Sequence, residues 1–355
     1  MILDNLVSLS EFVRFGAVCK PWQSVAMENK LTFVQNKFST QVPFLMVPLK
    51  DNNDDRRSLY SITHNKLYDF QLRVPYKERL CGSSHGWLIG IEKSSIVTLM
   101  NPFSGSTIEL PPIDSVVSTS INLISFEVTK VILSANPASS PNDYIVAAIY
   151  GIDSELAFIR AGDEAWTCMD KERFSCFSDV IYYKGRIFAV EDHRVLRVLM
   201  IDVNRMTGAP QVEEKEIAPQ IIRTEHMYLV ESSSGELLLV QRLLEIGDDS
   251  QHATSGFKVF KMLLDQFEEG SHMLVEVKNL GGDTLFLGDN HSICVSASKW
   301  SDVSLIPFYH PSGRHDMGIF NIVNGSFGTH YILNPSHNDM LPSIWIVPTV
   351  LGSSV

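Results

Sequence analysis

The sequence has few cysteines and none of the pairings that cysteine chemistry needs. Cys19, Cys81, Cys168, Cys176 and Cys294 are scattered over 355 residues without a Cys-x-x-Cys pair. Their number is odd, and neither a secretion signal nor an apolar run of membrane-spanning length accompanies them. We therefore expect buried free thiols in a reducing compartment, which predicts a location in the cytoplasm, the nucleus or both, and no membrane partner.

An excess of positive charge is also missing. The chain carries 29 Lys and Arg against 41 Asp and Glu, a formal net charge of −12. A protein that binds nucleic acid needs a basic face to displace counterions from phosphates, so this class is disfavoured. A hydrophobic content of 45% with 20% charged residues is ordinary for a folded protein and excludes global disorder.

Motifs for catalysis and cofactor binding are absent or have a simpler explanation. No Gly-x-x-x-x-Gly-Lys or Gly-x-Gly-x-x-Gly loop occurs. Gly82-Ser83-Ser84-His85-Gly86 fits the Gly-x-Ser-x-Gly pattern of a nucleophile elbow, but an elbow needs a helix after the serine. Strand-like residues follow instead, at 87–91, so we predict a glycine-rich hairpin turn and no catalytic residue.

Candidate metal ligands lack the spacing that a metal site requires. The histidines cluster near the C-terminus, at His310, His315, His330 and His337. None forms the His-x-x-x-His pair of a helical zinc site. The acidic runs at 51–55 and 213–216 lack the glycine and bidentate glutamate of a calcium loop, which favours solvated loops. We predict neither a metal nor a cofactor.

Beyond residue 40 the chain reads as strands and turns that repeat. Each unit has a glycine turn, a short apolar strand and a second apolar strand that runs into Asn or Asp. The glycines Gly86, Gly185 and Gly235 stand 99 and 50 residues apart, so the period is about fifty, with one unit between the first two. Four strand-like runs at 130–134, 144–150, 156–160 and 166–169 form that unit. Periods of this length with four strands per repeat indicate a β-propeller.

The same period predicts the number of blades and how the ring closes. The stretch from 42 to 348 accommodates six blades, or seven as an alternative. We expect the strand at 344–347 to share a sheet with those at 43–47, 58–62 and 66–72, because joining the first and last strands removes an open edge. Trp87, Trp166, Trp300 and Trp345 are predicted to pack between blades, with a recognition surface as the alternative.

The first thirty residues favour helix, unlike the rest of the chain. Ser8-x-x-Glu11 is a capping box, and Pro21 disfavours helical dihedrals at the preceding residue. Apolar residues recur at helical spacing at Phe12, Phe15, Cys19 and Trp22. We predict two short helices, at about 9–19 and 22–30.

The residues Glu11 to Ser24, Glu-Phe-Val-Arg-Phe-Gly-Ala-Val-Cys-Lys-Pro-Trp-Gln-Ser, resemble the C-terminal part of an F-box. F-boxes open with a Leu-Pro-x-x-Leu-Leu helix, and this chain begins inside or after it. The resemblance implies that residues 1–35 are truncated F-box helices that bind a Skp-type adaptor of an SCF ubiquitin ligase. The implied contact residues are Leu6, Leu9, Phe12, Phe15, Val18, Cys19 and Trp22.

Three further segments resemble the signature of the plant KIB-type β-propeller family. They are Cys81-Gly-Ser-Ser-His-Gly-Trp-Leu-Ile, Leu99-Met-Asn-Pro-Phe-Ser-Gly and Ile108-Glu-Leu-Pro-Pro112. The resemblance extends over about 42–348 and implies a mainly β, kelch-like propeller. Since that family commonly carries an N-terminal F-box, both resemblances imply a non-catalytic adaptor whose propeller binds a protein target.

Two other functions remain open at this stage. One is a stand-alone propeller that binds a protein without recruiting a ligase. The other is a propeller hydrolase or lyase, which would need acidic, histidine and lysine side chains clustered in the central channel.

Overall fold

The computed structural model of the protein describes most of the chain from residue 42 and part of the N-terminal segment. The described residues are 15–16, 18–26, 28, 42–48, 56–62, 66–73, 79–91, 96–101, 105–113, 128–170, 172–192, 196–203, 209–216, 226–246, 252–264, 274–288, 291–296, 304–308, 316–328 and 344–347. Among them, 15–16, 20–26 and 28 are helical, and all other regular structure is strand. The fold is a mainly β propeller.

The first and last described strands meet in one sheet, which we call blade 1. It contains β1 (Phe44–Pro48), β2 (Arg56–Ser61), β3 (Lys66–Arg73) and the late strand β25 (Ile344–Ile346), in the order β25-β1-β2-β3. Strand β25 is antiparallel to β1, with Phe44 opposite Ile346. The predicted closure of the first and last strands is confirmed.

Four more sheets are antiparallel meanders of four strands each. Blade 2 contains β4 (Arg79–Ser84), β5 (Trp87–Ile91), β6 (Val97–Met100) and β7 (Thr107–Glu109). Blade 3 contains β8 (Lys130–Leu133), β9 (Ile145–Tyr150), β10 (Glu155–Arg160) and β11 (Thr167–Cys168). Blade 4 contains β12 (Phe177–Tyr183), β13 (Arg186–Asp192), β14 (Leu196–Val203) and β15 (Pro210–Glu216). Blade 5 contains β16 (Met227–Glu231), β17 (Leu237–Ile246), β18 (His252–Met262) and β19 (Leu274–Val277). Blade 3 is the unit predicted between the glycine repeats.

The remaining sheet departs from the predicted pattern. It has five strands, β20 (Asp283–Phe286), β21 (Ile293–Ser296), β22 (Ser304–Phe308), β23 (Asp316–Asn321) and β24 (Ser326–Gly328), in the order β21-β20-β22-β23-β24. The pair β20 and β22 is parallel, which a meander does not contain. The described residues thus form five regular four-stranded blades and this five-stranded sheet, rather than six or seven equivalent blades.

The repeated glycines occupy equivalent turns. Gly86, Gly185 and Gly235 each follow the first strand of a blade and have φ of +75°, +85° and +75°. These dihedrals lie in the left-handed region that glycine adopts without steric cost, which explains the recurrence in the sequence. Gly82 is required for a different reason, namely space: a Cβ at this position would lie 2.6 Å from the carbonyl oxygen of Val131 on blade 3. The Gly-x-Ser-x-Gly pattern is therefore a hairpin, as predicted.

Hydrogen bonds between neighbouring blades span one sequence period. The Leu133 amide donates to Ser84 Oγ (3.3 Å), 49 residues away. The Tyr183 hydroxyl donates to the carbonyl of Gly235 (2.6 Å), 52 residues away. Such bonds satisfy polar groups that stacking would otherwise bury unpaired.

Blade faces are apolar on both sides and bury each other, and three of the four tryptophans named above lie in these contacts. Trp87 donates from Nε1 to Asn136 Oδ1 of blade 3 (2.9 Å), and Trp166 donates to the carbonyl of Pro111 of the blade 2 segment (2.7 Å). Trp345 is 1% exposed and donates to the carbonyl of Leu287 (3.1 Å), which joins blade 1 to the five-stranded sheet. Blade packing is the role of these three; Trp300 lies outside the described residues.

Two predictions from composition need correction. Only Cys81 of the five thiols is buried, while Cys19 and Cys168 are exposed. All five are free, because the cysteines lie on separate strands and loops. The acidic run 213–216 is not a loop but part of the outer strand β15, where Glu214 pairs with Arg173 and Arg197. The acidic run 51–55 and the four C-terminal histidines lie outside the described residues.

Candidate functional site

The helical residues near the N-terminus form a small packed unit. Helix residues 20–26 begin after Cys19, whose carbonyl accepts from the Gln23 amide (2.8 Å). Pro21 lies in the first turn, where its missing N–H costs nothing. The break therefore falls at 18–19, two residues before the predicted position, because proline starts this helix well.

Contact between the two helical pieces is direct. The rings of Phe15 and Trp22 stack at a centroid distance of 4.5 Å and an interplanar angle of 25°. A Cβ on Gly16 would lie 3.3 Å from the Ala26 Cβ, so the backbone approaches closely here. Phe15 and Ala26 are buried, at 8% and 6% exposure.

The four predicted adaptor-contact residues that the structure describes do not share one face. Phe15 and the half-buried Trp22 turn inward to each other, whereas Val18 is 62% exposed and Cys19 is exposed. Val25 adds a second exposed aliphatic side chain on the helix, at 36%. Helical spacing alone could not separate the two groups, because the helix is interrupted at 18–19. Leu6, Leu9 and Phe12 lie outside the described residues.

The second candidate site is the inner ring of strands around the propeller axis. Consecutive contacts join β25, β4, β8, β12, β16 and β21. Lys130 on β8 and Asp179 on β12 form an ion pair between blades 3 and 4, and their side chains are only 4% and 1% exposed. Asp179 also accepts from the amides of Leu229 on blade 5 (2.6 Å) and Val180 (2.7 Å). One carboxylate thus connects three blades.

The acid and base groups of this ring are poorly suited to proton transfer at neutral pH. Burial raises the pKa of Asp179, while Lys130 and the two amides act in the opposite direction. Burial, with the charges of Lys130 and His85 adding to it, lowers the pKa of His291 to about 3. The pKa of His85 is also lowered by burial, against a hydrogen bond to the Leu133 backbone. A general base works best with a pKa near the operating pH, and these imidazoles are neutral, weak bases.

A polar cluster around Asp283 joins blade 5 to the five-stranded sheet. Asp283 accepts from the Ser233 amide (2.9 Å) and from the Ser233 hydroxyl. The Cys294 thiol lies 3.2 Å from Asp283, and burial raises its pKa, so the thiol stays protonated and unreactive. This arrangement again holds neighbouring sheets together.

Metal-binding clusters and membrane-spanning helices are absent from the described part of the chain. His, Cys, Asp and Glu side chains do not group there in threes that could hold a metal ion. None of the described helical segments has the length and hydrophobicity to cross a membrane.

The stacked sheets and their inner ring of strands define a β-propeller. Polar side chains on the inner strands connect its neighbouring blades. The sequence profile of the family described as KIB1-4 beta-propeller matches residues 59–321, and the chain belongs to this family. F-box protein SKIP23 of Arabidopsis thaliana is 23% identical over 342 residues, which covers 84% of this chain and 78% of the relative. F-box protein At2g26160 of the same plant is 23% identical over 337 residues, with 84% and 88% covered. The relatives named for an F-box therefore align over most of their length.

Proposed function

We propose that the protein is a non-catalytic substrate adaptor of an SCF-type ubiquitin ligase. In this proposal residues 1–35 are an F-box segment that binds a Skp-type adaptor, and the propeller at 42–348 binds a protein target. The observation that carries the proposal is the exposed apolar pair Val18 and Val25 on a helical unit that is already packed internally by Phe15 and Trp22. The F-box resemblance of residues 11–24 and the F-box names of the relatives support it.

The chemistry of the described inner-ring residues supports a non-catalytic role. Lys130 is paired with Asp179, which also accepts from two backbone amides, and His291 is neutral over the physiological range. A hydrolase or lyase would need at least one of these groups free to exchange a proton with substrate. We propose that the protein supplies proximity and orientation, in the cytoplasm or nucleus, and that other ligase subunits make the bond.

A purified Skp-type adaptor tests the first half of the proposal. We expect Val18→Asp to weaken adaptor binding at least ten-fold in a titration with the full chain, because an exposed aliphatic contact is replaced by a charge that must be desolvated. Gln23→Asp is the matched control: it introduces the same charge at an exposed position of the same unit and should bind as the wild type does. No binding by the wild type would refute the adaptor role, and equal binding by both variants would show that Val18 is not part of the contact.

A second candidate is favoured by the stack of Phe15 on Trp22. If the two rings only stabilise the helical unit and the unit binds no adaptor, the protein is a stand-alone propeller module that binds its target without a ligase. The titration above separates the two, since this candidate predicts no binding of the adaptor by any variant.

A further inference from the structure

One loop of blade 3 presents an aliphatic side chain to solvent in an unusual way. Ile152, in the turn between β9 and β10, is 94% exposed, the highest exposure among the large hydrophobic residues that the structure describes. Tight turns usually carry Gly, Asn, Asp or Ser at their tips. Single exposed aliphatic residues are common on protein surfaces, so exposure alone says little.

The loop is held by backbone contacts on its C-terminal side. The Cys176 amide donates to the Asp153 carbonyl (2.7 Å), and the Phe177 amide donates to the Ser154 carbonyl (3.0 Å). Ser154 and Cys176 have φ of +48° and +61°, a conformation that non-glycine residues rarely adopt. The connection from blade 3 to blade 4 therefore fixes the turn that carries Ile152.

The base of the loop is braced by side chains as well. Tyr150 and Glu155 are opposite each other where β9 and β10 meet the turn. Burial raises the pKa of the Tyr150 hydroxyl, and the neighbouring side chains of Cys168 and Glu155 act in the same direction. A turn fixed on both sides loses little conformational entropy when it binds.

Acidic residues outnumber basic ones in the sequence around the loop. Four acidic residues lie on the turn and on the adjoining connection: Asp153, Glu155, Asp170 and Glu172. The basic residues of these segments are Lys171 and Arg173, and Arg173 is paired with Glu214 (2.8 Å). A rigid apolar tip within an acidic surface fits an apolar pocket rimmed by Lys or Arg, with the charges steering association.

The position of the loop in the ring agrees with such a role. In an antiparallel four-stranded blade, the turn between the second and third strands lies on the same face as the connections to neighbouring blades. The hydrogen bond from Cys176 to Asp153 places the 151–154 turn on that face. Loops on a rigid scaffold are the usual location of binding residues.

We propose that the 151–154 turn of blade 3 is an anchor for the protein target, with Ile152 inserted into an apolar pocket on a basic surface of that target. This inference rests on the proposed function, because it presumes that the propeller binds a protein. The residues around the tip contribute charge complementarity, and Tyr150 with the 174–177 segment contributes rigidity.

The test compares full-length variants recovered from plant cell extract by quantitative mass spectrometry. Ile152→Asp should lose at least one wild-type partner by ten-fold or more, and Ile152→Ala should weaken the same partner by a smaller factor. The control Val275→Asp changes another exposed aliphatic residue, 48% exposed on β19, and should retain the partner. The lost partner, purified, must then bind the wild type directly and at least ten-fold more tightly than Ile152→Asp, with an affinity that falls as salt rises.

Each result is decisive for the loop. If no partner is lost from Ile152→Asp, or if Val275→Asp loses the same partner, the anchor is wrong. The melting temperature of Ile152→Asp should match that of the wild type. If it is lower, the binding of Ile152→Ala is compared with that of the wild type instead. Recovery of the Skp-type adaptor, expected to survive Ile152→Asp but not Val18→Asp, reports separately on the ligase role.

Discussion

At the scale of single residues, the buried ion pair of Lys130 and Asp179 shows how the propeller combines an apolar interior with polar connections. Moving two charges out of water is costly, and the cost is offset only where geometry and further hydrogen bonds are good. Asp179 meets this condition, since its two oxygens accept from Lys130 and from two backbone amides. Removal of one partner should therefore be far more harmful than removal of an exposed pair.

We predict that Lys130→Met lowers the free energy of unfolding by about 3–5 kcal/mol, because it leaves the Asp179 carboxylate buried without its counterion. The double variant Lys130→Met/Asp179→Asn should recover more than half of the loss, since the amide oxygen can still accept from a backbone N–H. Urea unfolding followed by tryptophan fluorescence measures both.

An exposed pair within blade 4 provides the control. Arg186 and Asp202 lie 2.9 Å apart, with side-chain exposures of 34% and 49%. Arg186→Met should cost less than about 1 kcal/mol. A loss for Lys130→Met no greater than for Arg186→Met would contradict the role of the buried pair.

The sequence contains a signal for this pair that motif reasoning missed. Lys130 begins the apolar strand β8 and Asp179 interrupts β12, and they stand 49 residues apart, close to the fifty-residue period of the glycine turns. Polar residues one period apart in repeats of equal length face each other across adjacent blades. Neither residue belongs to a catalytic or metal motif, so a search by motif passes over both.

At the scale of elements, closure of the ring depends on a strand of three residues. Strand β25 is too short to form many backbone hydrogen bonds, so its three buried side chains must provide much of the contact. Trp345 contributes most, since it packs edge-on against Phe286 at 5.1 Å and bonds to the Leu287 carbonyl. The closure could be predicted because both terminal strands are apolar and joining them removes an open edge.

Trp345→Ala should lower the free energy of unfolding by about 3–5 kcal/mol, from lost burial and an unpaired carbonyl at Leu287. Loss of closure should also expose the edge of β1 and promote association, which light scattering would detect. Phe327→Ala, at a 48% exposed position of β24, is the control and should change stability by less than about 1 kcal/mol. Equal melting of the two variants would show that β25 does not close the ring.

The five-stranded sheet could not be predicted from the period. A fifty-residue repeat presumes that consecutive strands pair, whereas here β21 turns to the inner side of β20 and β22 pairs in parallel on the other side. A hydrophobic pattern of period two indicates a strand but not its neighbour. The contacts of this sheet, such as Phe286 with Trp345, join residues far apart in the sequence, which a local pattern does not encode.

At the scale of the whole molecule, two units with separate cores serve two separate tasks in the proposed function. The propeller has apolar clusters between its blades, such as Ile89 with Val131 and Val198 with Leu239. The helical unit has the Phe15 and Trp22 stack. Because the propeller does not need that stack to close its ring, damage to the helical unit should leave the propeller folded.

Trp22→Ala tests this independence. Removal of the indole ring takes away the stacking partner of Phe15 at a half-buried position, and we expect a cost near 3 kcal/mol, the lower end for tryptophan truncation. A unit of about thirty residues buries too little surface to absorb such a loss, so it should unfold locally and lose the Skp-type adaptor. The melting of the β-propeller, followed by circular dichroism near 218 nm where strands absorb, should stay within a few degrees of the wild type. Retained adaptor binding would show that the stack does not shape the adaptor surface. Early melting of the entire protein would place the helices within the propeller core, and the stand-alone module would then be the better description of the function.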